Sequence, residues 1–100
     1  MTINFQYDDV KASARLEELT TKKLNKIEDK YDFIIRADVF FRKEKTSTPE
    51  TGLICNIRLS APGPRLFAES NRSKFEIAIT DSVDDIERQL EKRKSKMKTY

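Results

Sequence analysis

Apolar residues recur at every second position in three consecutive segments between residues 36 and 70, and at every third or fourth position in long segments on either side. This change of period constrains the fold more than any other feature. Side chains alternate across a strand but repeat every 3.6 residues around a helix. "RADVFFRKEK" sets Ala37, Val39 and Phe41 against Asp38, Phe40 and Arg42. "LICNIRLS" turns Leu53, Cys55, Ile57 and Leu59 to one side, and "RLFAES" does the same with Leu66, Ala68 and Ser70. "TSTPETG", with Pro49 and Gly52, and "APGP" supply the turns between them. Near the start, "TINFQ" alternates as well, with Ile3 and Phe5 on one side, and predicts a fourth strand.

The helical period holds from about 13 to 30, where Leu16, Leu19, Leu24 and Ile27 share a face that Thr20 and Lys23 complete, with Tyr31 just beyond. Ser13 or a preceding Asp is suited to cap it. From about 73 to 97, Phe75, Ile79, Val83, Ile86, Leu90 and Met97 form a second stripe with no Gly or Pro in it. The predicted order is β-α-β-β-β-α, an α+β fold. A right-handed crossover makes the first two strands parallel, and tight turns make the next two pairings antiparallel. The fourth strand then runs with the first two. Both helices return from strands of one direction, so the expected architecture is a four-stranded mixed sheet with two parallel helices packed on one face.

With 100 residues the chain is expected to be a single domain, 1–100. The lone Cys55, the lack of a secretory leader and the lack of a membrane-length apolar run predict a cytoplasmic protein without membrane attachment. Chemistry is poorly provided for. The absence of histidine removes the commonest general base and metal ligand. There is no CxxC, phosphate-binding glycine loop or HExxH, and Cys55 falls on the inward side of a strand. Asp8-Asp9 and Asp84-Asp85 read as surface charge. The expectation is a protein that is not an enzyme, with no catalytic or metal residues, no cofactor and no small-molecule substrate.

The net charge of +3 is small, so any polyanion surface must come from how charges are distributed. Lys11, Arg15, Lys22 and Lys26 fall on one flank of the first helix, with Glu17 and Glu28 opposite and Glu18 and Asp29 diluting the basic side. On the second helix Arg88, Lys92 and Lys96 form an i, i+4, i+8 stripe, which Lys74 joins, with Asp81 and Asp85 between. "RQLEKRKSKMK" carries Arg88, Lys92, Arg93, Lys94, Lys96 and Lys98 against the single acid Glu91. One reading is a solvated helix face whose cations complement the macrodipole. The other is a channel lined by two basic helix flanks that accepts a phosphate backbone. The density of cations exceeds what the dipole needs and favours a polyanion partner. The opposite sheet face offers Phe40, Ile54 and Phe67, with Asn56, Arg42 and Arg58 around them. These are either scattered exposed side chains, a protein contact or, least favoured by the pattern, a base-stacking surface.

"KKLNKIEDKYD", "ADVFFRKEK" and above all "ERQLEKRKSKMK", in this order and at these lengths, resemble the short ribosome hibernation promoting factor family, also called ribosome-associated inhibitor or sigma-54 modulation proteins. The resemblance runs essentially full length. It implies the same β-α-β-β-β-α fold and binding of the small ribosomal subunit and its rRNA in the decoding region, where mRNA and the A- and P-site tRNA stems lie. The implied action is to stop translation in idle ribosomes by occupancy, in stress or stationary phase, as a monomer when free. Basic family positions match at Lys23, Lys26, Arg42, Lys45, Arg88, Lys92, Lys94, Lys96 and Lys98, with Lys22 and Arg93 as additional neighbouring cations. The sigma-54 label implies the alternative, a protein-interaction module whose contacts are Phe40, Ile54 and Phe67. Two departures stand out. "SKFEIAITDS" replaces the Asp-Met-Tyr…Ala-Ile-Asp opening of the second helix in many members, and the C-terminal dimerisation domain of long members is not expected here.

Overall fold

The alternating segments pair as their period requires. In this computed structural model, which describes residues 1–46 and 48–97 except the side chain of Met97, the elements are β1 (Thr2–Asp8), α1 (Ala14–Lys30), β2 (Arg36–Lys43), β3 (Leu53–Ser60), β4 (Leu66–Arg72) and α2 (Phe75–Met97). The strands lie in the order β1-β2-β3-β4. β1 and β2 are parallel, and the β2–β3 and β3–β4 pairs are antiparallel. β3 has the extent that the sequence pattern predicts. β1 runs two residues further than "TINFQ", because Tyr7 continues the alternation and pairs with Phe41.

Register separates the two faces cleanly. Phe5, Val39, Ile57 and Ala68 form one cross-strand row, flanked by Tyr7–Phe41–Cys55–Ser70 and Ile3–Ala37–Leu59–Leu66. These rows meet the helices. The opposite face carries Gln6–Phe40–Asn56–Glu69 and Asn4–Asp38–Arg58–Phe67.

α1 begins where Ser13, in an extended conformation, accepts a hydrogen bond from Leu16 N at 3.3 Å. This satisfies one of the first-turn N–H groups that have no partner within the helix. Leu16, Thr20, Leu24 and Ile27 are buried, and Thr20 is tolerated there because its hydroxyl donates to Leu16 O at 2.7 Å. On α2 the buried stripe is Ala78, Ile79, Ser82, Val83, Ile86 and Leu90. Ala78 and Ser82 were not read from the apolar pattern. They are small, and Ser82 donates to Cys55 O at 2.9 Å, tying α2 to β3. Arg15 pairs with Glu76, first turn to first turn, and Lys30 pairs with Glu87 further along both helices, as parallel helices require. Burying one Ile or Leu contributes about 1.5–3 kcal/mol, against roughly 0–1 for an exposed ion pair. Packing therefore holds the layer together, and the exposed ion pairs add little to it.

α2 outruns the sheet. Its 23 residues extend ~34 Å at 1.5 Å each, whereas an eight-residue strand spans about 26 Å. Beyond Leu90, Arg93 and Lys94 brace the helix. Arg93 donates to Pro62 O at 3.1 Å in the β3–β4 turn, and Lys94 Nζ lies 5.5 Å from the centre of the Tyr31 ring.

Candidate nucleic-acid interface

The spacing 23, 26, 30 puts three lysines on the side of α1 that faces α2. Lys23, Lys26 and Lys30, with Ile27 and Asp29, form one wall of a groove of about 390 Å³ whose other wall is Val83, Asp84 and Glu87. A second hollow shares Lys30, Asp84 and Glu87 and adds Tyr31, Arg88 and Glu91, so the groove continues toward the end of α1. The expected channel, basic on both flanks, is therefore corrected on one side. α1 supplies the cations, while α2 lines the groove with Asp84, Glu87 and Glu91 and with one cation, Arg88. Successive helix positions project 100° apart, so "ERQLE" places its acids inward of its arginine. Lys30 was not singled out from the sequence, although it continues the i, i+4 line from Lys26. Its ammonium donates to Glu87 at 2.9 Å, and that bond and charge raise its pKa above the ordinary lysine value.

The other predicted cations divide by what they touch. Arg88, Lys92 and Lys96 are exposed along the i, i+4, i+8 line of α2. Arg88 sits on the crest of the helix, since it also borders a hollow with Arg72, Asp81 and Asp85 beside β4. Arg93 and Lys94 are half-buried in the bracing contacts described above. Lys98 lies outside the described residues. Lys22 is exposed beside Glu17 and Glu18, away from the groove. Arg42 lies on the opposite sheet face, 4.0 Å from Glu69, and Lys45 is exposed in the β2–β3 connection. The fold thus brings Lys23, Lys26 and Arg88 together, extends them through Lys92 and Lys96, and leaves Arg42 and Lys45 apart.

On the helix-free face, Phe67 is 53% exposed, Phe40 is half-buried and Ile54 is only 2% exposed. Ile54 is flanked across the strands by Arg42 and Asn71 and shows little surface, although it borders the hollow on this face. A hollow of about 380 Å³ opens here beside Gln6, Phe40, Arg42, Asn56, Arg58 and Glu69. Cys55 is fully buried on the other face, and burial pushes its thiol up to about 12, which leaves it protonated at neutral pH.

A basic helix flank on a β-α-β-β-β-α layer can be weighed against known proteins. The family described as sigma 54 modulation protein / S30EA ribosomal protein matches residues 3–98. The chain belongs to this family. Proteins named ribosome hibernation promoting factor from Escherichia coli (strain K12) and Shigella flexneri are each 32% identical to it over 104 residues, across the whole of both chains. A solved structure described as a ribosomal subunit interface protein from Coxiella burnetii superposes with a TM-score of 0.81 at 25% identity, covering 95% of this chain and 99% of that one. The N-terminal domain of Thermus thermophilus Protein Y shares the fold, with a TM-score of 0.75 at 19% identity and coverage of 92% and 98%. Among the described residues of this family member, no helix is long and apolar enough to cross a membrane.

Proposed function

We propose that this family member is a ribosome hibernation factor. It binds the small ribosomal subunit in the decoding region, over the A and P tRNA sites and the mRNA channel, and halts translation in idle ribosomes by occupying them. The observation that carries this reading is the convergence of Lys23 and Lys26 of α1 with Arg88 of α2 along one groove, continued by Lys92 and Lys96. The names of the full-length relatives supply the ribosome as partner. Lysine and arginine contacts to phosphate position a protein on rRNA, and the shape of the domain selects the place. The mixed groove refines the picture. With Asp84, Glu87 and Glu91 inside it, a phosphate backbone follows the α1 wall and the exposed crest of α2 and does not sink between the helices. No bond is made or broken, and the site of action is the cytoplasm, where ribosomes are.

The test is chemical footprinting of small subunits with the protein bound, alongside an in vitro translation assay. Protection of decoding-region nucleotides together with dose-dependent inhibition is expected. Inhibition with protection elsewhere, or protection without inhibition, would overturn the proposed mechanism.

A further inference from the structure

The helix-free sheet face holds an arginine unlike its neighbours. Arg36 and Arg65 both bond to Asp38, at 3.2 and 2.9 Å, and Arg42 lies 4.0 Å from Glu69. Arg58 has no carboxylate partner among the described residues. Its guanidinium carbon instead sits 4.8 Å from the centre of the Phe40 ring. Stacking on a ring orders the guanidinium plane while leaving its N–H edge open for a bidentate anion. Directly across the β3–β4 pair stands Phe67, 53% exposed. Its backbone is held from behind, where Gln89 donates to Phe67 O at 2.8 Å.

We propose that this face binds an unstacked nucleotide of single-stranded RNA, with the base on Phe67 and a phosphate on the Arg58 fork. An exposed aromatic beside an oriented guanidinium matches the π face and the anion that every nucleotide carries. An acidic peptide would satisfy Arg58 but leave the Phe67 face unused. The inference rests on the rRNA-binding reading for the source of the strand, and it adds a second contact on the face opposite the helices.

The probe is a single-stranded RNA hexamer containing 2-aminopurine, whose fluorescence falls when the base stacks. Titration with the wild-type chain is expected to quench it. Phe67→Leu and Arg58→Gln should each weaken binding about tenfold, whereas Phe67→Tyr, which keeps the ring, should restore it. Because Phe67 and Arg58 are exposed, these variants keep the core intact, and an unchanged melting temperature checks this. No quenching by the wild type, or equal quenching by Phe67→Leu, overturns the proposal even if the protein still pellets with small subunits. Quenching in a protein that does not pellet leaves this proposal standing and removes the ribosomal reading. Capture of a ribosomal protein through Phe67, without quenching, also overturns it.

Discussion

Lys30 Nζ lies 2.9 Å from Glu87 Oε2, so the last turn of α1 is tied to the middle of α2 inside the groove that carries the basic wall. A phosphate arriving at Lys30 competes with this carboxylate, whose charge offsets that of the ammonium and so reduces the counterions the RNA releases. Glu87→Gln removes the competitor. The expected result is tighter binding to small subunits, with a salt dependence steeper by about 0.7–0.9 in log–log slope. Stability should change little, since Lys30 is exposed and Glu87 only half-buried. An unchanged slope would place the RNA away from Lys30.

Arg93 and Lys92 are neighbours in sequence but differ in what they are expected to do. Arg93 donates to Pro62 O and lies against Gly63, so it steadies the projecting end of α2. Arg93→Ala is expected to speed hydrogen exchange in residues 61–65 and 91–96 and to weaken subunit binding without altering the salt slope. Lys92→Ala should lower the slope by about 0.7–0.9 and leave exchange unchanged. A reduced slope in the Arg93 variant would make it a phosphate contact after all.

Gly52 closes the β2–β3 connection at φ +121°, and a Cβ there would lie 3.0 Å from Thr46 Cγ2 and 3.1 Å from Glu44 O. Gly52 N also donates to Asn71 Oδ1, so the backbone has little room to shift. Gly52→Ala is expected to cost about 1–3 kcal/mol. For a domain of this size each kcal/mol lowers Tm by roughly 4–8 °C, which a thermal melt reads directly.

Cys55 is the buried group with the largest pH consequence. Its thiol is pushed to about 12 by burial, against an ordinary value of 9.0. The unfolded chain therefore ionises first. The contribution is fully present below pH 9 and is lost as pH rises from 9 toward 12, at roughly 1.4 kcal/mol per pH unit. Cys55→Ala should show a shallower loss of stability than the wild type across that window. A thiol reagent at pH 8 should label the native protein only as fast as it opens, and the denatured protein at once.

The sequence pattern made the sheet and both helix faces legible because burial follows two sharp periods. Val39, Ile57 and Ala68 share a row, and Ile79, Val83, Ile86 and Leu90 share a stripe, as the alternation and the 3.6 repeat demand. The surface was less legible. A helical wheel places Arg88, Asp84 and Glu87 on α2 but does not fix how far α2 is rotated toward α1, and that rotation makes the groove wall acidic. Nor does the pattern show which long side chains find a partner: Arg93 reaches a turn carbonyl thirty-one residues away, and Lys94 reaches Tyr31. Ile54 illustrates the same limit, since its face was readable and the cover from its neighbours was not. The family resemblance carried the function further than the periodicities did, because phosphate recognition by exposed lysines leaves little pattern beyond charge density.

The most direct measurement is co-sedimentation of the protein with purified small subunits across a salt series, beside a variant with Lys23, Lys26, Arg88 and Lys92 all changed to Glu. About six phosphate contacts through the helix flanks correspond to a log–log slope near −4 to −5. The expected result is a wild type that pellets at low salt and is released steeply, and a variant that stays in the supernatant at every salt. A variant that pellets as well as the wild type would contradict binding through the helix flanks, and a flat salt response of the wild type would contradict phosphate recognition itself.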